Sequence, residues 1–127
     1  MKRIIITEEA PLPVGPYSQA IKSDGLVFVS GQIPIDAATG VLSQDSMAEQ
    51  ARLVLSNIGA ILETADSGLN KIAKISVFLT DLKNFEEVNA VFAEVFSSEP
   101  PARETVEVSR LPKDADIEIS CIAVADK

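Results

Sequence analysis

Histidine and tryptophan are absent from this chain, and cysteine and tyrosine occur once each. Without histidine there is no serine–histidine triad, no histidine metal cluster, no imidazole acid–base pair and no histidine-ligated haem. Chemistry must therefore run on carboxylates, arginine, lysine, hydroxyls, backbone groups or water. The single Cys121 has no intrachain partner, which excludes a disulfide scaffold and fits a reducing compartment. Positive charge is also scarce. Eleven basic residues against nineteen acidic ones give a formal net charge of −8, which repels a phosphate backbone and makes nucleic acid a poor expected partner. No apolar run nears the roughly 20 residues of a bilayer span, and Met1-Lys2-Arg3 leads into only a short apolar stretch, so a soluble, cytoplasmic protein is expected. Phosphate-binding glycine loops, dinucleotide fingerprints, paired-cysteine motifs and a nucleophile elbow are missing too. No cofactor and no metal is expected.

What remains is a chain of 127 residues with 46% apolar and 24% charged side chains, the composition of one globular domain over 1–127. Such a length buries roughly two-thirds of its unfolded surface, enough for one core. Ile4–Thr7 reads as a short strand, followed by an extended segment with Pro11, Pro13 and Pro16. Tyr17–Lys22 and Leu26–Ser30 flank Ser23-Asp24-Gly25, a hairpin composition. Gly31–Leu42 reads as a loop, with Ser30-Gly31 at the end of the preceding strand.

Ser46 and Glu49 have capping-box spacing ahead of Ala51, Leu55, Ile58 and Leu62, the core stripe of a first helix that Gly68 is expected to stop in the left-handed conformation. Lys71–Thr80 alternates as a strand. Asn84 and Glu87 repeat the capping spacing before a second helix whose Phe85, Val88, Phe92, Val95 and Phe96 read as core. Pro100-Pro101 end it and lead into a strand over Arg103–Arg110. Leu111–Asp114 turns the chain into a last strand, Ile117–Val124. The order β-β-β-α-β-α-β-β predicts an α+β two-layer sandwich: a mixed six-stranded sheet with two helices on one face. The last strand carries Ile117, Ile119, Cys121 and Ala123 on one side but Ile122 and Val124 on the other. Both faces are thus partly apolar, and the uncovered one is expected to meet another subunit.

Chemistry-bearing residues stand in these apolar strands. Arg103 follows two prolines and an alanine, so its guanidinium is presented from a stiff base, either to grip a carboxylate bidentately or to pair with a surface acid. Glu118 lies between two isoleucines and either faces solvent or sits in a cleft that tunes its ionisation. Were Leu111–Asp114 to close a hairpin, the two would occupy adjoining strands about 13 Å out of step. Tyr17 offers a hydroxyl to a ligand or packs as an aromatic with a wet tip. Cys121 reads as a buried, inert thiol.

Gly15-Pro16-Tyr17-Ser18-Gln19-Ala20, Ser30-Gly31-Gln32-Ile33-Pro34, Asp81-Leu82 with Phe85, Val88-Asn89 and Phe92, Pro101-Ala102-Arg103, and Val106 to Asp114 with Ile117-Glu118-Ile119 together closely resemble the RidA family, in order and over nearly the whole chain. That family, also called YjgF and formerly known as L-PSP endoribonucleases, comprises reactive enamine/imine deaminases. The resemblance implies a chorismate-mutase-like fold, a homotrimer with clefts between subunits, and hydrolysis of 2-aminoacrylate and related enamines or imines to 2-keto acids and ammonia without a cofactor. It carries the substrate-carboxylate arginine onto Arg103 and the water-orienting glutamate onto Glu118, with Tyr17, Ser30, Gly31 and Thr105 lining the substrate site. Many members carry cysteine where this chain has Thr105. A small residue usually follows the arginine, whereas here it is Glu104, which strand alternation should turn to the opposite face. Two other readings stand beside the enzyme: a trimer that holds a small keto acid without turnover, and a ribonuclease, disfavoured by charge and by the missing histidine.

Overall fold

Alternating apolar residues build the centre of the sheet, and polar strands fall to its edge. The structure is a computed structural model that describes residues 1–126. Its strands are β1 (Arg3–Ile5), β2 (Ala20–Ser23), β3 (Leu26–Gln32), β4 (Ile72–Leu79), β5 (Ala102–Glu107) and β6 (Ile117–Val124). Helix α1 (Met47–Thr64) follows β3, and α2 (Phe85–Val95) follows β4. The sheet order is β1-β2-β3-β6-β4-β5. Only β4 and β5 pair in parallel, with α2 as the crossover between them. This is the mixed six-stranded α+β sandwich expected.

The expected β5–β6 hairpin does not form. Strand β6 pairs instead with β3 and β4, and β4 separates it from β5. Hydrophobicity explains the choice. Ile117, Ile119, Cys121 and Ala123 are all buried, as a central strand requires, whereas Ala102-Arg103-Glu104-Thr105-Val106-Glu107 contains no buried residue and takes the edge. The β2–β3 hairpin does form. Asp24 and Gly25 both have positive φ, 51° and 77°, the pair of left-handed residues a two-residue hairpin turn demands.

Helix α1 starts at Ser46, whose hydroxyl accepts from the Glu49 N–H at 3.2 Å. The reciprocal half of the capping box is absent, because Glu49 turns to Arg52. The helix stops before Gly68. Asp66 takes the left-handed position (φ 60°), with its N–H bonded to the Glu63 carbonyl and the Ser67 N–H to that of Leu62, while Gly68 is fully extended. Asn84 likewise makes no side-chain cap for α2. Asp81 caps the short helical turn before it, and Glu87 reaches across to the Ala48 N–H at the start of α1. Both helices lie on one sheet face and bury Ala51, Val54, Leu55, Ile58, Ile61, Leu62, Val88 and Val91 there.

Neither helix covers the other face, which stays open among the described residues except at the Glu118 end. Strand pairing aligns Ile4, Ile21, Phe28 and Ile122 in one row across it, flanked by Leu26 and Val124. Ile4 is 62% exposed, Phe28 42% and Val124 50%.

Candidate functional site

Arg103 lies on the helix side of edge strand β5, opposite Ile75, which is wholly buried under the helices. Its guanidinium stands over two rings of α2, 5.0 Å from the Phe92 centroid and 5.6 Å from that of Phe85, and donates a 2.6 Å hydrogen bond to Asn89 Oδ1. Spacings of four and three residues bring Phe85, Asn89 and Phe92 to one helix face. Aromatic faces attract the cation without neutralising it. No carboxylate among the described residues forms an ion pair with Arg103. Arg103 also lines a shallow groove together with Phe92, Phe96, Pro100 and Pro101. Phe85 and Phe92 therefore do more than fill the core, and Phe85 is 36% exposed. The signal in the sequence was a single asparagine set between two phenylalanines in an otherwise apolar stripe.

Glu104 points to the opposite face, as alternation requires. There it pairs with Lys74 Nζ at 2.7 Å and accepts from the Ser76 hydroxyl, and these two bonds hold its carboxyl below the ordinary range. It does not quench Arg103. Thr105 shares the Arg103 side of the strand, and its hydroxyl oxygen is buried without a hydrogen-bond partner.

Glu118 is elsewhere. It pairs with Phe78 on the uncovered face, whereas Arg103 aligns through Ile75 with Cys121 on the covered one. Two strand spacings and three residues of rise put their Cα atoms roughly 14 Å apart, with the side chains on opposite sides of the sheet. One chain cannot bring both to the same small substrate.

Around Glu118 the chain forms a cavity of about 140 Å³ whose walls include Pro11, Val14, Tyr17, Gly31, Ile33 and Lys113. Burial against these mostly apolar walls pushes the Glu118 carboxyl up. Strand β3 does not end at Ser30-Gly31. Its register with β6 shifts between Val29 and Gln32, so Ser30 and Gly31 sit in a bulge, a device that re-aims side chains. Ser30 Oγ donates to the Ser18 carbonyl at 2.6 Å, and its N–H to that of Gln19 at 2.9 Å, which fastens the Tyr17 segment to the sheet. Tyr17 remains 51% exposed at the cavity wall. Gln19, 1% exposed, folds the proline-rich wall into place: its carboxamide accepts from the Thr7 N–H and donates to the carbonyls of Thr7, Ala10 and Pro11. Lys113, at the rim, holds a left-handed backbone (φ 57°). Asn89, Gln19 and Lys113 stand in the motifs that carry the family resemblance, but sequence reasoning assigned them no role.

Cys121 is buried under the helices, and its thiol is pushed up to about 12, so it stays protonated and unreactive. Among the described residues no group of acidic, cysteine or histidine side chains has the arrangement of a metal site, and no helix is long and apolar enough to cross a membrane.

Comparison with known proteins matches residues 7–125 to the family described as Endoribonuclease L-PSP. A RutC family protein of Pyrococcus horikoshii is 53% identical over 123 residues, covering 97% of this chain and 98% of that protein. The chloroplastic Reactive Intermediate Deaminase A of Arabidopsis thaliana is 42% identical over 122 residues, 96% of this chain and 65% of the plant protein. Among solved structures, the YjgF gene product of E. coli superposes with a TM-score of 0.93 at 43% identity, over 98% of this chain and 99% of that one.

Proposed function

This chain belongs to the endoribonuclease L-PSP family, that of the RidA and YjgF proteins, and from that premise we propose that it is an enamine/imine deaminase. It hydrolyses 2-aminoacrylate and related products of pyridoxal-phosphate enzymes to 2-keto acids and ammonia. The observation that carries this reading is an arginine stacked, oriented and, among the described residues, left without an acidic partner.

The site is completed between copies of the chain. Arg103 and Glu118 lie too far apart, and on opposite faces, to serve one substrate within one subunit. The uncovered apolar face supplies the surface on which copies meet. A head-to-tail contact sets the Arg103 groove of one subunit against the Glu118 cavity of the next, and closure at three gives a homotrimer with three equivalent clefts.

Arg103 binds the substrate carboxylate through the donors Asn89 leaves free. The enamine tautomerises to its imine, whose carbon is the electrophile. Glu118, ionised, takes a proton from a water molecule as its oxygen bonds to that carbon. The C=N electron pair moves to nitrogen, and Glu118 returns the proton there to give the neutral carbinolamine; it then takes the carbinolamine hydroxyl proton as the carbonyl forms and delivers it to nitrogen, so that the C–N bond breaks and ammonia leaves with the bonding pair. A carboxyl displaced upward from its ordinary range suits this dual role. Imines hydrolyse readily in water, so positioning alone supplies the modest acceleration needed.

The test is release of pyruvate and ammonia from 2-aminoacrylate generated in situ. Acceleration above the uncatalysed rate that is lost in Arg103→Ala supports the reading, and wild-type protein at the uncatalysed rate overturns it. Pyruvate binding without turnover would favour a non-catalytic keto-acid binder. Cleavage of RNA that is lost in Arg103→Ala would favour the ribonuclease that the family description names.

A further inference from the structure

We propose that Gly31 is a positioning residue for Glu118: the side chain it lacks would occupy the place where the Glu118 carboxylate rests. A Cβ built on Gly31 would stand 1.8 Å from Glu118 Oε2, 2.8 Å from its Cδ and 3.2 Å from its Cγ. At Gly15, Gly59 and Gly68 the nearest atom to such a Cβ stands 2.9 Å away or more, and at Gly40 nothing lies within 4 Å. Backbone conformation does not account for the glycine. Its φ is not in the left-handed region, where Gly25 and Gly40 lie, so an alanine fits the chain path at Gly31 without strain. The bulge between Val29 and Gln32 brings this backbone against the carboxyl.

The consequence is specific to Glu118. The atoms a methyl group would meet are the far end of a flexible side chain, so the fold accommodates the substitution by moving the carboxyl and little else. To regain van der Waals separation Oε2 must move by roughly 1.5 Å, and a misplacement of about 1 Å at a reacting group costs on the order of 10²-fold in rate. Gly31 thus acts through Glu118, and fixes where the water-activating oxygen stands relative to the cavity.

This inference rests on the deaminase reading for its kinetic readout only. In Gly31→Ala, kcat is expected to fall about 100-fold with KM nearly unchanged, and the subunit assembly and melting temperature are expected to match wild type. Carbon-13 titration of the Glu118 carboxyl should move toward the ordinary glutamate range as the group swings out. Adding Gly31→Ala to Glu118→Gln should cost little more than Glu118→Gln alone. An unchanged Glu118 titration, a rise in KM alone, or full additivity in the double variant would overturn the proposal. Were wild type to show no deaminase activity, the enzyme reading would fall, while the titration of Glu118 in Gly31→Ala would still decide the seat.

Discussion

The two faces of the sheet carry similar residues under different cover. On the helix side, Ile75, Val77, Ile117 and Ile119 are wholly buried by α1 and α2 of the same chain. On the other side, Ile4, Phe28, Val106 and Val124 are between 40% and 62% exposed with nothing over them. A monomer rarely leaves such a row open, because the hydrophobic gain of covering it is large. The candidate site residues divide along the same line, with Arg103 and Thr105 on the covered side and Glu118 on the open one. On the proposed reading the sheet is both a partition between the halves of the site and the surface that would reunite them between copies.

Removing the arginine is the most severe way to break this division of labour. Arg103→Ala is expected to lower kcat/KM by roughly 10³-fold, since a charge-assisted anchor on the substrate carboxylate is lost along with its orientation. Circular dichroism and assembly should be unchanged, because Arg103 lies on an edge strand and its one side-chain hydrogen bond among the described residues is to Asn89. A variant retaining a tenth of wild-type turnover of 2-aminoacrylate would remove Arg103 from the site.

Neighbouring strand positions then separate the faces. Ile119→Ala opens a cavity under the helices and should cost about 2–5 kcal/mol of stability in urea unfolding. Phe28→Asp puts a charge on the uncovered face, and should leave each subunit folded while sedimentation shows monomers and deaminase activity disappears with them. An active, monomeric Phe28→Asp would refute the shared cleft.

Much of this was legible in the sequence because it is written in local periodicity. The two-sided apolar pattern of Ile117–Val124 announced an uncovered face, and the i, i+3, i+4 stripe from Ala51 to Leu62 announced α1. Strand order was not legible. Whether β6 pairs with β5 or inserts beside β4 is decided by which strand can be buried on both edges, a contest among distant segments. The face of Glu118 relative to Arg103 depends on that register, since a shift of one residue exchanges the faces. Asp66 displaced Gly68 as the helix stop because the two closing hydrogen bonds were available two residues earlier. The contact between Gly31 and Glu118 joins residues 87 positions apart through a bulge that no local pattern reveals.

A lesion confined to the covered side should be milder and functionally silent. Ser46→Ala removes the one side-chain bond to the start of α1 that sequence spacing foretold. It should cost about 1 kcal/mol in thermal or urea unfolding, with assembly and kcat unchanged. Loss of assembly in this variant would mean that the two faces are more tightly coupled than the sheet geometry implies.

The smallest expected effect lies on the open side and has a definite sign. Burial raises the Glu118 carboxyl in the folded chain, so folding favours its protonated form and is penalised once it ionises. The stability associated with the neutral acid is fully present below the unfolded carboxyl value near pH 4.3 and is lost as pH rises through the higher folded value. Glu118→Gln, neutral at every pH, should therefore be slightly more stable than wild type at pH 7, and the advantage should vanish below about pH 4. Half-exposure screens the penalty, so the gain should be smaller than the loss in Ser46→Ala. Melting curves of both proteins across pH 4–8 check the sign. Were Glu118→Gln less stable at neutral pH, the carboxylate would be held by a favourable partner, and its place as a desolvated base poised for water would be lost.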